Sequence, residues 1–251
     1  MSREPSPGCV RQSFFGRRHG RRLRRGRSRR LDSLLPRLRL VMPAEGETLD
    51  PAALFDPAVA DVWLEIGFGG GEHLAAVAAA NPEIGFIGCE PYVNGVANLL
   101  MLIDQSGLGN VRIFDDDARL VLSKLPEASL GRVALLFPDP WPKKRHASRR
   151  FVCPENLDAL ARVLRDGAQL RIATDDPLLV RWTLAAVMAH PQFKWLPQGP
   201  EDWRLRPADW PPTRYEQKAV ARGARCTYLR VVRRARRLSL EQQGIISCVR
   251  R

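Results

Sequence analysis

Long apolar runs are missing from this chain of 251 residues. No stretch of about 18 apolar residues occurs, so no membrane-crossing helix is expected. No apolar segment follows the first charges, so no secretory signal is expected either. Cysteine is sparse and shows no pairing pattern: Cys9, Cys89, Cys153, Cys226 and Cys248 stand far apart without a CxxC pair. That odd, scattered set argues against a disulfide framework or a zinc site, and for reduced thiols in the cytoplasm. The histidines His19, His73, His146 and His190 are equally dispersed, so no metal site is expected. Acids are scarce where basic residues crowd. The 13 arginines of residues 1–40 face only Glu4 and Asp32, and the 7 arginines of residues 230–251 face only Glu241. Since the whole chain carries +13, the intervening body is mildly acidic. Two basic tails on an acidic body attract a polyanion. Few apolar residues punctuate the arginines, which disfavours a membrane surface.

The remaining composition, 45% hydrophobic and 27% charged, is that of a soluble globular protein with one domain. Three parts are expected. Residues 1–40 read as a basic, mobile arm, 41–237 as the folded domain, and 238–251 as a basic carboxy-terminal tail. No internal repeat is visible.

Within the domain, short apolar runs alternate with amphipathic stretches, the pattern of an α/β protein with a mostly parallel sheet and crossover helices. Strands are predicted at Val62–Ile66, Gly85–Cys89, Val111–Phe114, Arg132–Phe137, Gln169–Ala173, Phe193–Leu196 and Cys226–Val232. Helices are predicted at Glu72–Ala80, Tyr92–Ser106, Ala118–Leu125, Pro154–Leu164 and Pro177–Ala189, with Asn81-Pro82, Ser106-Gly107 and Asp166-Gly167 as stops. The Pro- and Trp-rich stretch 197–216 is too long for a connector and reads as a functional loop.

The first strand runs into Leu64-Glu65-Ile66-Gly67-Phe68-Gly69-Gly70-Gly71-Glu72, a glycine turn that lets the backbone approach a nucleotide-like ligand closely. Glu90 ends the second strand, where an acid accepts from ribose hydroxyls. A dinucleotide motif wants glycine where Glu72 stands, and that acid opposes a pyrophosphate at the helix start. The spacing is instead ExGxGxG, through Glu65, Gly67, Gly69 and Gly71. A carboxylate at the strand end suits a cationic sulfonium cofactor with a free amino group, which is S-adenosylmethionine. Asp115-Asp116-Asp117 ends the third strand, and an Asp there can hold an adenine amino group. Three adjacent acids repel one another without a ligand or basic partner.

The most specific segment is Phe137-Pro138-Asp139-Pro140-Trp141-Pro142-Lys143-Lys144-Arg145-His146, followed by Arg149-Arg150. It leaves the fourth strand at its carboxyl end, where α/β sheets bind ligands. Flanking prolines present Asp139 with little entropy to lose. Trp141 offers a stacking face, and the basic residues offer contacts to phosphates.

LEIGFGGGEHL, GCEPYVNGVANLL, FPDPWPKKRH, ATDD and TRYE together resemble the bacterial tRNA (guanine-N7-)-methyltransferase family over about 62–232. The resemblance implies a Rossmann-like class I methyltransferase fold, a seven-stranded sheet with helices on both faces. It implies S-adenosylmethionine as donor and a guanine in the variable loop of tRNA as acceptor. It also implies cofactor binding by Glu65, Glu90, Asp117 and Asp139; the place of Asp139 at a strand end beside the cofactor makes it the expected catalytic residue. Substrate contacts fall to Lys143, Asp175, Thr213, Arg214, Tyr215 and Glu216. Arg214-Tyr215 depart mildly from the Lys-Phe common in the family. No obligate protein partner is expected, leaving a monomer or homodimer.

Guanine N7 carries an in-plane lone pair and no proton, so it attacks a sulfonium methyl without a general base. Asp139 or Asp175 is expected to stabilise the positive charge left on the purine. Asp176 reads as the N-cap before Pro177, and Thr213 to Glu216 as a capping box. Other readings remain at this point: a methyltransferase acting on an exocyclic amine, a non-catalytic RNA-binding protein, and a nicotinamide dehydrogenase weakened by Glu72.

Overall fold

A computed structural model describes residues 15–236. The tail 238–251 and the first 14 residues of the arm lie outside the described residues.

The strands are β1 (Asp61–Ile66), β2 (Ile84–Cys89), β3 (Val111–Phe114), β4 (Leu130–Leu136), β5 (Leu164–Thr174), β6 (Phe193–Lys194) and β7 (Thr227–Arg233). They form one seven-stranded sheet in the order β3-β2-β1-β4-β5-β7-β6. The first five run parallel, while β7 pairs antiparallel with β5 and with β6. The order reverses between β1 and β4, so the carboxyl ends of β1, β2 and β4 surround a crevice.

The helices are α1 (Arg25–Ser33), α2 (Leu35–Leu38), α3 (Glu72–Ala80), α4 (Val93–Ser106), α5 (Ala118–Lys124), α6 (Pro154–Val163), α7 (Pro177–Ala189), α8 (Glu201–Arg204) and α9 (Arg214–Ala221). Two apolar layers sandwich the sheet. On one face Val62, Leu64, Leu135 and Ile172 meet Val121 of α5, Leu157 and Leu160 of α6 and Val187 of α7. On the other, Phe86, Val111 and Ile113 meet Leu74 of α3, Leu99 and Leu100 of α4 and Leu35 and Leu38 of α2. Near-complete burial of the parallel strands explains why they read as continuous apolar runs.

Two expectations need correction. Gly167 does not close a helix: α6 ends at Val163, and β5 begins at once and runs through Gly167, whose φ is +80°. The pairing of β4 with β5 shifts register between Leu130 and Arg132, and glycine permits that bulge. The arm is also not loose over residues 15–40. It carries α1 and α2, Leu40 N–H donates to the Ile113 carbonyl at 2.8 Å, and Leu35, Leu38 and Leu40 are buried. Each buried leucine contributes about 1.5–3 kcal/mol, which holds a segment rich in charge against the body.

The loop 197–216 contains α8 and leads into α9, whose start has the expected capping box. Thr213 Oγ1 accepts from Glu216 N–H at 3.0 Å, and the Glu216 carboxylate accepts from Thr213 N–H at 3.4 Å. Asp176 caps α7 as expected, accepting from Leu179 N–H at 2.8 Å.

Candidate active site

A cavity of about 660 Å³ opens at the carboxyl ends of β1, β2 and β4. Among the expected site residues, Gly67, Gly69, Glu90, Asp117, Asp139, Arg214 and Tyr215 line it. Gly69 turns with φ +56°, and a Cβ there would stand 2.8 Å from the Tyr215 ring. The left-handed conformation favours glycine here, and the Tyr215 ring of α9 lies against the turn. Gly71 lies deeper: it starts α3 with φ +78°, and a Cβ would meet Leu99 at 2.7 Å. Its role is to let α3 and α4 pack.

Glu90 is buried, and its carboxylate accepts from Gly69 N–H at 2.7 Å and Tyr92 N–H at 2.9 Å. One side chain therefore holds both the glycine turn and the start of α4. Burial pushes its carboxyl above the ordinary 4.5, those two N–H donors oppose the rise, and the nearby charges of Asp139 and Glu65 add to it.

Glu65 does not line this cavity. Successive strand residues point to opposite faces, and Ile66 is the one turned toward the cavity. The Glu65 carboxylate lies 2.7 Å from His73 Nδ1 on α3, beside a second space of about 20 Å³ lined by Trp63, Arg132 and Arg171. His73 gave no sequence signal, since it looks like any residue of an amphipathic helix.

The three acids after β3 do not rest on a ligand for relief of their repulsion. Asp115 pairs with Arg39 at 2.7 Å, Asp116 with Arg18 at 2.5 Å, and Asp117 with Arg119. Asp117 also caps α5, accepting from Arg119 N–H at 3.0 Å. Of the three, only Asp117 lines the cavity.

Asp139 is exposed at the cavity mouth, on a loop of unusual backbone. Phe137 and Trp141 have φ of +50° and +43°, conformations that cost on the order of 1–3 kcal/mol each outside glycine. Arg150 compensates. It is 5% exposed, donates to the Pro140 carbonyl at 3.1 Å and the Trp141 carbonyl at 3.0 Å, and stacks over Trp182 at 4.5 Å. It is thus a loop clamp and not the phosphate contact expected from the sequence. Arg149 does face the mouth, 4.9 Å from the Trp141 ring. His146 stands 5.7 Å from the same ring, and partial desolvation, then Arg149, Arg145 and Lys143, hold its imidazole below the ordinary 6.5.

Lys143, Asp175, Thr213 and Glu216 lie outside the lining. Lys143 is exposed beside the Asp139 loop, and Asp175 pairs with Arg222 past the end of α9. Thr213 and Glu216 are buried; Glu216 accepts from Tyr228 Oη at 2.6 Å and pairs with Arg206 at 3.0 Å. These groups place Arg214 and Tyr215. No group of three or more His, Cys, Asp or Glu residues among the described residues is arranged to hold a metal ion.

A family model described as "Putative methyltransferase" matches residues 60–229. The chain is 54% identical over 225 residues to the tRNA (guanine-N(7)-)-methyltransferase of Rhodospirillum rubrum, covering 89% of this chain and 88% of that protein. It is 54% identical over 211 residues to the protein of the same name from Paramagnetospirillum magneticum, covering 84% and 88%. The fold resembles the solved 16S rRNA (adenine(1408)-N(1))-methyltransferase from Catenulisporales acidiphilia, with a TM-score of 0.51 over 80% of this chain and 99% of that one, at 16% identity. The sheet, the glycine turn and the Asp139 loop thus sit in the Rossmann-like class I methyltransferase fold, and the chain belongs to the tRNA (guanine-N7-)-methyltransferase family.

Proposed function

We propose that the protein transfers a methyl group from S-adenosylmethionine to N7 of a guanine in the variable loop of tRNA. The observation that carries this reading is the meeting around one cavity of Glu90, Asp117 and Asp139 with the Trp141–Arg149 loop. An acid-lined cavity suits a cationic donor with a free amino group, and Glu72 at the start of α3 opposes a pyrophosphate. When bound, S-adenosylmethionine supplies an electrophilic methyl group on a sulfonium.

Glu90 accepts from the ribose hydroxyls, Asp117 from the adenine amino group, and Gly67 and Gly69 keep the wall low. Glu65 acts indirectly, holding α3 to β1 through His73 beneath the glycine turn. Tyr215 closes the cavity from α9. Trp141, Arg149 and Lys143 receive the RNA at the mouth by stacking and by charge. Asp139 accepts from the guanine Watson–Crick edge and offsets the positive charge that develops on the purine. Asp175 supports this from the neighbouring strand end once RNA draws Arg222 away. Guanine N7 needs no base, so alignment at about 3–3.5 Å is the main work, on the order of 7–11 kcal/mol. A tRNA-modifying role belongs to the cytoplasm.

The test is a tRNA transcript carrying 7-deazaguanine in place of guanine. It offers no N7, so methyl transfer seen with the ordinary transcript disappears; retained transfer rules N7 out.

A further inference from the structure

The segment expected to be a loose arm is fastened by main-chain contacts. Asn94, at the start of α4, accepts from Gly20 N–H at 2.9 Å and donates to the Arg21 carbonyl at 2.8 Å, as a neighbouring strand would. Val93 N–H donates to the Arg18 carbonyl at 2.9 Å. Beyond this strap α1 lies along α4, with Arg27 donating to Asn98 at 3.0 Å and Arg30 pairing with Asp104 at 2.8 Å. Leu31 and Leu34 pack into the core on the same side of α1.

Two sets of arginines stand apart in this segment. Arg18, Arg30 and Arg39 meet Asp116, Asp104 and Asp115, so the acids of this face are neutralised by the segment that covers them. Arg21, Arg22, Arg24, Arg25 and Arg29 are exposed and have no side-chain partner among the described residues. Helical spacing sets Arg25 and Arg29 together on the side of α1 away from Arg27 and Leu34, with Asp32 the one acid beside them. The row reaches the cavity mouth. Arg17 and Phe15 line the cavity, and the Arg149 guanidinium lies 4.8 Å from the Phe15 ring.

We propose that residues 17–30 form a fixed track for the phosphodiester backbone of RNA, continuous with the Arg149 loop at the cavity mouth. The proposal rests on the tRNA reading above and adds a second contact surface to it. Like charges held along one surface repel one another, and a polyanion relieves that repulsion. A lipid surface fits less well, because none of the exposed large apolar residues lies on α1.

The experiment measures equilibrium binding of tRNA across a salt series for three full-length proteins: wild type, a variant with Arg21, Arg22, Arg24, Arg25 and Arg29 all changed to Gln, and Asn94→Ala. The five changes fall on exposed side chains, so the fold is retained. If each arginine meets one phosphate, the slope of log affinity against log salt falls by about 3.5–4.5. An unchanged slope overturns the proposal. So does an unchanged slope accompanied by tight binding of wild type to phosphatidylserine vesicles, which assigns the arginines to a membrane. Asn94→Ala keeps every charge but releases the strap, and a several-fold loss of affinity is expected; wild-type affinity shows that the arginines act as an unanchored tail. The methylated nucleoside made by wild type is identified from the same samples. If no 7-methylguanosine forms, the tRNA reading fails whatever the slopes show.

Discussion

The guanidinium of Arg150 donates to the main-chain carbonyl of Trp141 at 3.0 Å, and the same side chain holds Pro140 at 3.1 Å. Two residues with positive φ, Phe137 and Trp141, bracket Asp139 in this loop. The loop keeps its shape because a buried cation satisfies carbonyls that it turns inward. Hydrogen bonds from a charged donor contribute about 1.5–3 kcal/mol each, enough to offset strain of that order. Arg150→Met is therefore expected to cost about 2–4 kcal/mol and to lower kcat at least ten-fold. Arg150→Lys cannot bridge both carbonyls and falls between. Thermal melting and initial rates check this; a wild-type kcat in Arg150→Met would show that the loop holds itself.

Asp139 is exposed, so its removal tests chemistry more than stability. Asp139→Asn is expected to reduce methyl transfer by about 10²–10³, the size of a lost charge-stabilising group, with the melting temperature nearly unchanged. Single-turnover rates with saturating S-adenosylmethionine provide the measurement. A rate within a few-fold of wild type would remove Asp139 from the reacting centre.

Glu90 makes cofactor binding depend on pH. Burial, opposed by the Tyr92 and Gly69 N–H groups and reinforced by Asp139 and Glu65, raises its pKa above 4.5. A carboxyl that binds its proton more tightly in the folded state adds stability below pH 4.5, and that contribution is lost as pH rises through the raised pKa. Binding runs the other way, because the ionised form accepts from the ribose. Affinity for S-adenosylmethionine should therefore fall as pH falls through a midpoint above 4.5. Calorimetry between pH 4 and 8 should show that fall in wild type, and weaker, flatter binding in Glu90→Gln. A wild-type affinity independent of pH would contradict the role.

Tyr228 ties β7 to the start of α9 by donating to Glu216 at 2.6 Å. Burial, and then the Glu216 bond and charge, push its hydroxyl pKa far up, so it stays a donor throughout the working range. Tyr228→Phe should cost about 1–3 kcal/mol, since Glu216 is buried and loses a partner, and should lower the melting temperature by a few degrees. Arg206 remains at 3.0 Å, so unfolding is not expected. An unchanged melting temperature would mean that Arg206 alone satisfies the carboxylate.

Much of this site was legible in local pattern. Buried parallel strands write apolar runs, glycines at a strand end write a turn, and Thr213 with Glu216 writes a cap; all three are set by residues near in sequence. The pairings that decide the finer geometry are distant. Asp115 and Asp116 find Arg39 and Arg18 across more than 70 residues, so the basic partners that relieve their repulsion come from the arm, which no local pattern shows. The place of Glu65 in ExGxGxG predicts a cavity residue, yet strand alternation turns it to His73 on α3. Arg150 stands in a basic run that reads as a set of phosphate contacts, and only the fold of the Pro140–Trp141 loop around it shows it buried. The arm read as mobile because arginine obscures the apolar spacing of Leu31, Leu34, Leu35 and Leu38.

Methyl transfer to guanine N7 is tested with the full-length protein, bulk tRNA and S-adenosylmethionine labelled on its methyl group, followed by digestion to nucleosides and mass spectrometry. The label is expected in 7-methylguanosine, and Asp139→Asn nearly abolishes it. Label on an exocyclic amine of any base, or no label in tRNA, would contradict transfer to N7.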